Sequence, residues 1–171
     1  MNNRKVYISG EIVPEADAKI SIFDSAVLLG DTVTESTRTF NYKPFKLDDH
    51  LERLYKSFKL TRIDPQMTIE EMKKVSLDLL EINKDQYKGN EDCWLVHNIS
   101  RGHSITGGNP ALQVSKPTVM IYTQPMNLVL WAPFYTKGCH AVTPPTRMVP
   151  SQSLDARIKN RSRLFYTLAE I

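Results

Sequence analysis

Between residues 48 and 80 the sequence carries two helix-period apolar stripes in direct succession, with strand-like runs on both sides and none between them. Leu51, Leu54, Phe58 and Leu60 fall roughly on one face of the first helix, and Met72, Val75, Leu79 and Leu80 on one face of the second. Asp48 or Asp49 can cap the first helix. Thr68, with Glu71 three residues later, forms a capping box for the second. A wound parallel sheet alternates strands with helices. A helix pair framed by runs of strands points instead to an α+β fold.

The flanking runs have strand signatures of their own. "KVYI" and "EIV" surround Ser9-Gly10, a pair able to take positive φ, and read as a hairpin. "AKISIF" alternates apolar and polar residues, as a half-buried strand does. Gly30-Asp31 breaks the chain, and the β-branched residues 33–40 form the next strand. "NYKP" turns the chain, and "FKL" is expected to pair back on it. After the helices, "CWLVHNIS" reads as a buried strand, "RGHSITGGNP" as a Gly-rich loop and "KPTVMIYTQP" as a strand fenced by prolines. "PMNLVLWAP" reads as a crossover, "GCHAVTPPTRMVP" starts a new strand pattern, and residues 161–171 start a helix with no C-cap. This order divides the chain into a small α+β domain over 1–123, a linker over 124–135 and a second domain beginning at 136.

Composition narrows the function. Hydrophobic residues make up 41% of the 171 and charged residues 24%, enough apolar material for a core. The net charge is +3, and the two signs are mixed except near the C-terminus. A nucleic-acid binder would segregate a stronger basic stripe, and no such motif is present. Cys93 and Cys139 are far apart and have no neighbouring histidine or cysteine ligands, which argues against a zinc site and against a disulfide framework. A reducing, cytoplasmic compartment fits that usage. "MNNRKVYISGEIV" has no apolar signal core, and no apolar run approaches membrane-spanning length.

Reactive chemistry has two candidate positions. In "DARIKNRSRL" a single amine, Lys159, sits among Arg157, Arg161 and Arg163. One reading is a solvated surface charge. The other is a reactive amine, since neighbouring positive charges favour its neutral, nucleophilic form. Arg53, in "DDHLERLYKSFKL", falls between Leu51 and Leu54 at the edge of an apolar face. It reads either as an arginine whose stem covers apolar surface or as a fixed guanidinium aimed at a phosphate. His50 reads as structural, tying the helix start to a carbonyl.

The order of these pieces resembles the fold-type IV pyridoxal-phosphate enzymes, among them branched-chain and D-amino-acid aminotransferases and aminodeoxychorismate lyase. That pattern has a strand with "NG", then "D" and "GD-V-E--R", a turn, "F-L--HL-RL", and much later a lysine before a helix. Here the matching residues are Ser9-Gly10, Asp24, Gly30-Asp31, Val33, Glu35, Arg38, Phe45, Leu47, His50, Leu51, Arg53 and Leu54. "SRGHS" resembles the family's "TRG" segment, and "RMVPSQSLDARIKNRSRL" the segment ending at its lysine. The resemblance covers nearly the whole chain. It implies pyridoxal 5'-phosphate as cofactor, Lys159 as the Schiff-base lysine that also moves the substrate proton, and Arg53 as a phosphate ligand. It also implies a substrate pocket near Arg38, Leu29 and Arg101, an amino acid and a 2-oxo acid as substrates, and a homodimer in which "RGHSITGGNP" reaches the other subunit.

Several positions depart from the pattern. Leu29 stands where many aminotransferases have a tyrosine, and Val33-Thr34-Glu35-Ser36 replaces "VFEG", so the usual aromatic wall is missing. The loop lacks the second Arg-x-His pair of D-amino-acid aminotransferases, which argues against that specificity. Tyr166 either substitutes for a family residue just after the lysine or packs. Family members are longer, so the resemblance implies an N-terminal portion, inactive alone, with the phosphate-cradling helix supplied elsewhere. The competing expectations are a lyase of the same fold and a non-catalytic remnant without cofactor.

Overall fold

The computed structural model describes residues 3–87, 91–103 and 116–171. Its centre is a six-stranded sheet in the order β2-β1-β6-β5-β3-β4, comprising β1 (Lys5–Ile8), β2 (Glu11–Pro14), β3 (Thr32–Phe40), β4 (Lys43–Pro44), β5 (Cys93–Ser100) and β6 (Thr118–Pro125). All of its named pairings are antiparallel. The helix pair is α2 (Leu47–Thr61) and α3 (Ile69–Asn83), after a single turn, α1 (Ser25–Leu28). Two further turns, α4 (Leu128–Trp131) and α5 (Phe134–Lys137), follow β6, and α6 (Leu164–Glu170) comes last among the described elements. The α+β class is therefore as expected. Among the described residues no helix is long and apolar enough to cross a membrane.

The period of two decides which face is covered. Val33, Glu35, Thr37 and Thr39 of β3 are all buried, as are Cys93, Leu95, His97 and Ile99 of β5 and Val119, Ile121 and Thr123 of β6. Leu51, Leu54 and Phe58 of α2, with Met72, Leu79 and Leu80 of α3, close over them. The helix-facing side of the sheet is thus unusually polar, and its polar groups are mostly paired. Asn83, fully buried, accepts from the Lys5 N–H (2.7 Å) and donates to the Lys5 carbonyl (2.8 Å) and to Thr123 Oγ1 (3.1 Å), tying α3 to β1 and β6.

Local chemistry explains most boundaries. Ser9 and Gly10 both take positive φ (46° and 110°), the two-residue hairpin turn that their types suggest. Thr68 accepts from the Glu71 N–H and the Glu71 carboxylate accepts from the Thr68 N–H, completing the capping box.

Other expectations are corrected. "AKISIF" forms no strand: it pairs with no strand of the sheet, and Ile20, Ile22 and Phe23 are exposed. Neither Asp48 nor Asp49 is the N-cap of α2. Lys46, in a left-handed conformation, takes that place, and both aspartates lie in the first turn, where the helix dipole favours them. Leu60 is exposed, and "FKL" contributes only the Phe45 N–H to the Arg38 carbonyl (2.9 Å), since Leu47 has already entered the helix. "GCHAVTPPTRMVP" forms no strand either, because Pro144, Pro145 and Pro150 have no N–H to give a ladder. The helix placed at 161–171 begins only at Leu164. Most of "RGHSITGGNP", from 104 on, lies outside the described residues.

His97 sets a pH dependence. The Ser76 hydroxyl donates to the Met72 carbonyl (2.7 Å), so it must accept from His97 Nε2–H (2.8 Å), and this leaves the buried Nδ1 as a bare acceptor with no partner among the described residues. Burial pushes the His97 pKa down from 6.5 to about 4. The unfolded chain therefore binds more protons between these values, and stability is full above about pH 6.5 and declines as pH falls toward 4. The loss at the lower end is about 3 kcal/mol. Urea midpoints at pH 7.5 and pH 4.5 measure it, and His97→Gln is expected to narrow the difference between them.

Candidate active site

Lys159 owes its place to the edge of β3. Residues 159–161 lie antiparallel against the free edge at 32–34, where Val33 faces Asn160 in an isolated bridge. The Thr34 N–H donates to the Lys159 carbonyl (2.8 Å) and the Arg161 N–H to the Thr32 carbonyl (2.9 Å). From the helix side, the Lys159 N–H donates to Ser57 Oγ (3.3 Å), whose own hydroxyl donates to the Arg53 carbonyl (3.1 Å). Both β3 and α2 therefore fix the backbone of a residue that sequence places a hundred positions later.

Arg53 reaches the same place from α2. Its Nε and NH2 groups donate to the two oxygens of Glu35, at 2.6 and 2.7 Å. Glu35 is fully buried in β3 and also accepts from the Ser36 N–H (2.8 Å). His50 Nδ1 lies 3.1 Å from the same carboxylate, so His50 serves a side chain rather than the carbonyl expected of it. Burial alone would raise the Glu35 pKa. The hydrogen bonds from Arg53, the Ser36 N–H and His50 outweigh it and hold the carboxyl below its usual range.

Lys159 and Arg53 line one cavity of about 340 Å³, with Met148, Ile158, Asn160, Arg163, Phe165 and Tyr166 among its other walls. The Lys159 pKa is lowered, chiefly by burial. Glu35 opposes that shift, and the charges of Arg53, Arg163 and Arg161 assist it. Arg157, expected to act on this amine, does not. It is occupied by Asp155, with Nε and NH2 contacts at 2.6 to 3.1 Å, and Arg53 takes its part from across the fold. Tyr166 lines the cavity with its ring under the Arg163 guanidinium, 4.8 Å from centroid to Cζ.

The remaining expected site residues lie elsewhere. Arg38 stacks over the Phe40 ring (3.9 Å) with Asp92 at 3.8 Å. Leu29 ends α1 and is exposed. Arg101 is engaged by both Asp31 oxygens (2.7 and 3.3 Å) and by the Thr61 and Arg62 carbonyls, clamping β5 to α2 and to the start of β3. None of the three lines the cavity. Nothing in the sequence pattern marked Ser57 or Asn160 as functional. Glu35 showed there only as a letter in a pattern, because its burial and its ion pair appear only in the fold.

The family model described as "Amino-transferase class IV" matches residues 32–171. The chain belongs to the class IV aminotransferases. The putative branched-chain-amino-acid aminotransferase of Methanocaldococcus jannaschii is 34% identical over 167 residues, covering 98% of this chain and 54% of that protein. The D-alanine aminotransferase of Staphylococcus haemolyticus is 34% identical over 85 residues, covering 50% of this chain and 30% of that protein. Among solved structures, the T.th. branched-chain amino acid aminotransferase with pyridoxamine 5'-phosphate aligns with a TM-score of 0.79 at 23% identity, covering 92% of this chain and 51% of that one. The branched-chain aminotransferase from Thermoproteus uzoniensis with norvaline aligns at 0.71 and 25% identity, covering the same shares. This class IV chain thus spans about half the length of the Methanocaldococcus jannaschii protein and of the two aligned branched-chain aminotransferase structures.

The lowered Lys159 pKa is testable without any cofactor. In competitive labelling with an amine reagent across pH 7 to 10, Lys159 is expected to reach half-maximal reactivity at a lower pH than the side-chain amine of a small lysine peptide in the same mixture. Equal midpoints would contradict the arrangement.

Proposed function

We propose that this chain is the lysine-bearing part of a pyridoxal-phosphate-dependent aminotransferase that moves an amino group between an amino acid and a 2-oxo acid. One observation carries the proposal: an amine with its charge disfavoured and an arginine with donors to spare share one cavity wall. Those residues fit the cofactor, since Lys159 suits its aldehyde and Arg53 its phosphate. When bound, pyridoxal phosphate supplies an electron sink for the substrate α carbon.

Lys159 is the Schiff-base lysine in this reading. With its Nζ free, the same amine would act as the base that takes the substrate's α proton and holds it for return, a role that its disfavoured charge supports. The pairing with β3 supports that role by holding the backbone while the side chain moves. Arg53 holds the phosphate, and Phe165 and Tyr166 form part of the wall beside the amine. Arg38, Leu29 and Arg101 are proposed substrate neighbours. They lie outside the cavity, so that role calls on a further domain or a second subunit, and a homodimer belongs to the proposal. So does the division into a small domain over 1–123 and the beginning of a cofactor-binding domain at 136.

Borohydride reduction of the full-length protein with pyridoxal phosphate, followed by peptide mapping, tests the assignment. The pyridoxyl group is expected on Lys159, and Lys159→Ala is expected to abolish both the label and the half-reaction with amino donors. A label on another lysine overturns the assignment.

A further inference from the structure

Arginine has five N–H donors arranged on two edges, a side-on edge of Nε with one terminal nitrogen and an end-on edge of the two terminal nitrogens. Glu35 occupies the side-on edge of Arg53 completely, through Nε (2.6 Å) and NH2 (2.7 Å). His50 Nδ1 lies 3.3 Å from Arg53 NH2 and 3.1 Å from Glu35 Oε1. A ring nitrogen that close to a carboxylate oxygen carries the proton. It donates to Glu35 and cannot accept from Arg53. No hydrogen bond from Arg53 NH1 is found among the described residues, so the end-on edge remains available on the side chain that lines the Lys159 cavity.

We propose that Glu35 is a positioning residue for the phosphate site: its carboxylate fills the side-on edge of Arg53 and turns the end-on edge toward an anion in the Lys159 cavity. Glu35 suits the task because it cannot move. It is fully buried in the middle of β3, where it pairs with His97 of β5 in register, and the Ser36 N–H and His50 fix its oxygens. The Arg53 side chain, by contrast, is about half exposed (52%) and would otherwise sample many rotamers. A carboxylate beside the phosphate site repels the anion at long range, so the benefit must be geometric. It lies in an orientation fixed in advance, which removes an ordering cost from binding.

This inference rests on the phosphate role proposed above for Arg53, and the experiment separates the two. Dissociation constants for pyridoxal phosphate and for pyridoxal are measured on the full-length protein. Both ligands carry the aldehyde, so the ratio of the pyridoxal constant to the pyridoxal phosphate constant isolates the phosphate. Glu35→Gln is expected to lower the ratio about tenfold, the worth of roughly one charge-assisted hydrogen bond, while leaving pyridoxal affinity nearly unchanged. Arg53→Ala is expected to lower it at least as far, and the double variant no further than Arg53→Ala alone. If Glu35→Gln weakens both ligands equally, Glu35 serves folding only and the proposal fails. If Arg53→Ala lowers the ratio and Glu35→Gln does not, the proposal fails while the phosphate site stands. If Arg53→Ala leaves the ratio intact, the phosphate reading itself fails and this one with it. Should Glu35→Gln not fold, Glu35→Asp decides in the same terms, since it keeps the charge but is too short to hold both Arg53 nitrogens.

Discussion

A strand edge in a folded protein is a row of unpaired N–H and C=O groups, and something must meet it. At the start of β3 that something is the short stretch 159–161, joined by two backbone hydrogen bonds that flank the Val33–Asn160 bridge. This pairing is small, yet the site depends on it. It sets Lys159 beside Thr34, next in the chain to Glu35, and brings the amine within the field of Arg53 and its partners. Without it, the amine would be a surface lysine on an irregular segment, with nothing to disfavour its charge. Ser57 makes the arrangement stiffer, since one hydroxyl links the Lys159 backbone to α2 and so to Arg53 itself.

The buried carboxylate adds a second constraint. An unpaired charge inside the sheet–helix interface would be expensive. Glu35 is tolerated because Arg53, His50 and the Ser36 N–H together satisfy its oxygens. The same bonds leave Arg53 only one direction in which to offer its remaining donors. Folding and the proposed phosphate site therefore draw on one ion pair.

Much of the fold was legible because its determinants are local. The β-branched run of β3, the apolar β5 and the Thr68–Glu71 capping box each carry their signal within a few residues. "AKISIF" shows where that logic stops. Its alternation is as good as that of β3, but a strand also needs a neighbour, and neighbours are set by the tertiary fold. The site divides along the same line. Lys159 and Arg53, which share a cavity, are both marked by the order of motif residues. Which arginine acts on the amine is not, because Arg157 is close in sequence but tied to Asp155, whereas Arg53 is distant in sequence and close in space. Glu35 was visible as a letter, and its role depends on burial, which no single position displays.

The strand order has a consequence for how the chain is made. β1 leaves the ribosome well before β6, yet on its inner side it pairs with that strand, with Tyr7 facing Ile121. β3 waits in turn for β5, and its other edge for residues 159–161. Nearly every long-range pairing in the sheet thus runs from an early segment to a late one, a topology of high contact order that folds slowly. The helix pair and the N-terminal hairpin can form as they emerge, but the sheet cannot be completed until β6 has been synthesised. The free edge of β3 then remains open to other nascent chains until the lysine-bearing segment follows, so the stretch that positions Lys159 also protects that edge from aggregation.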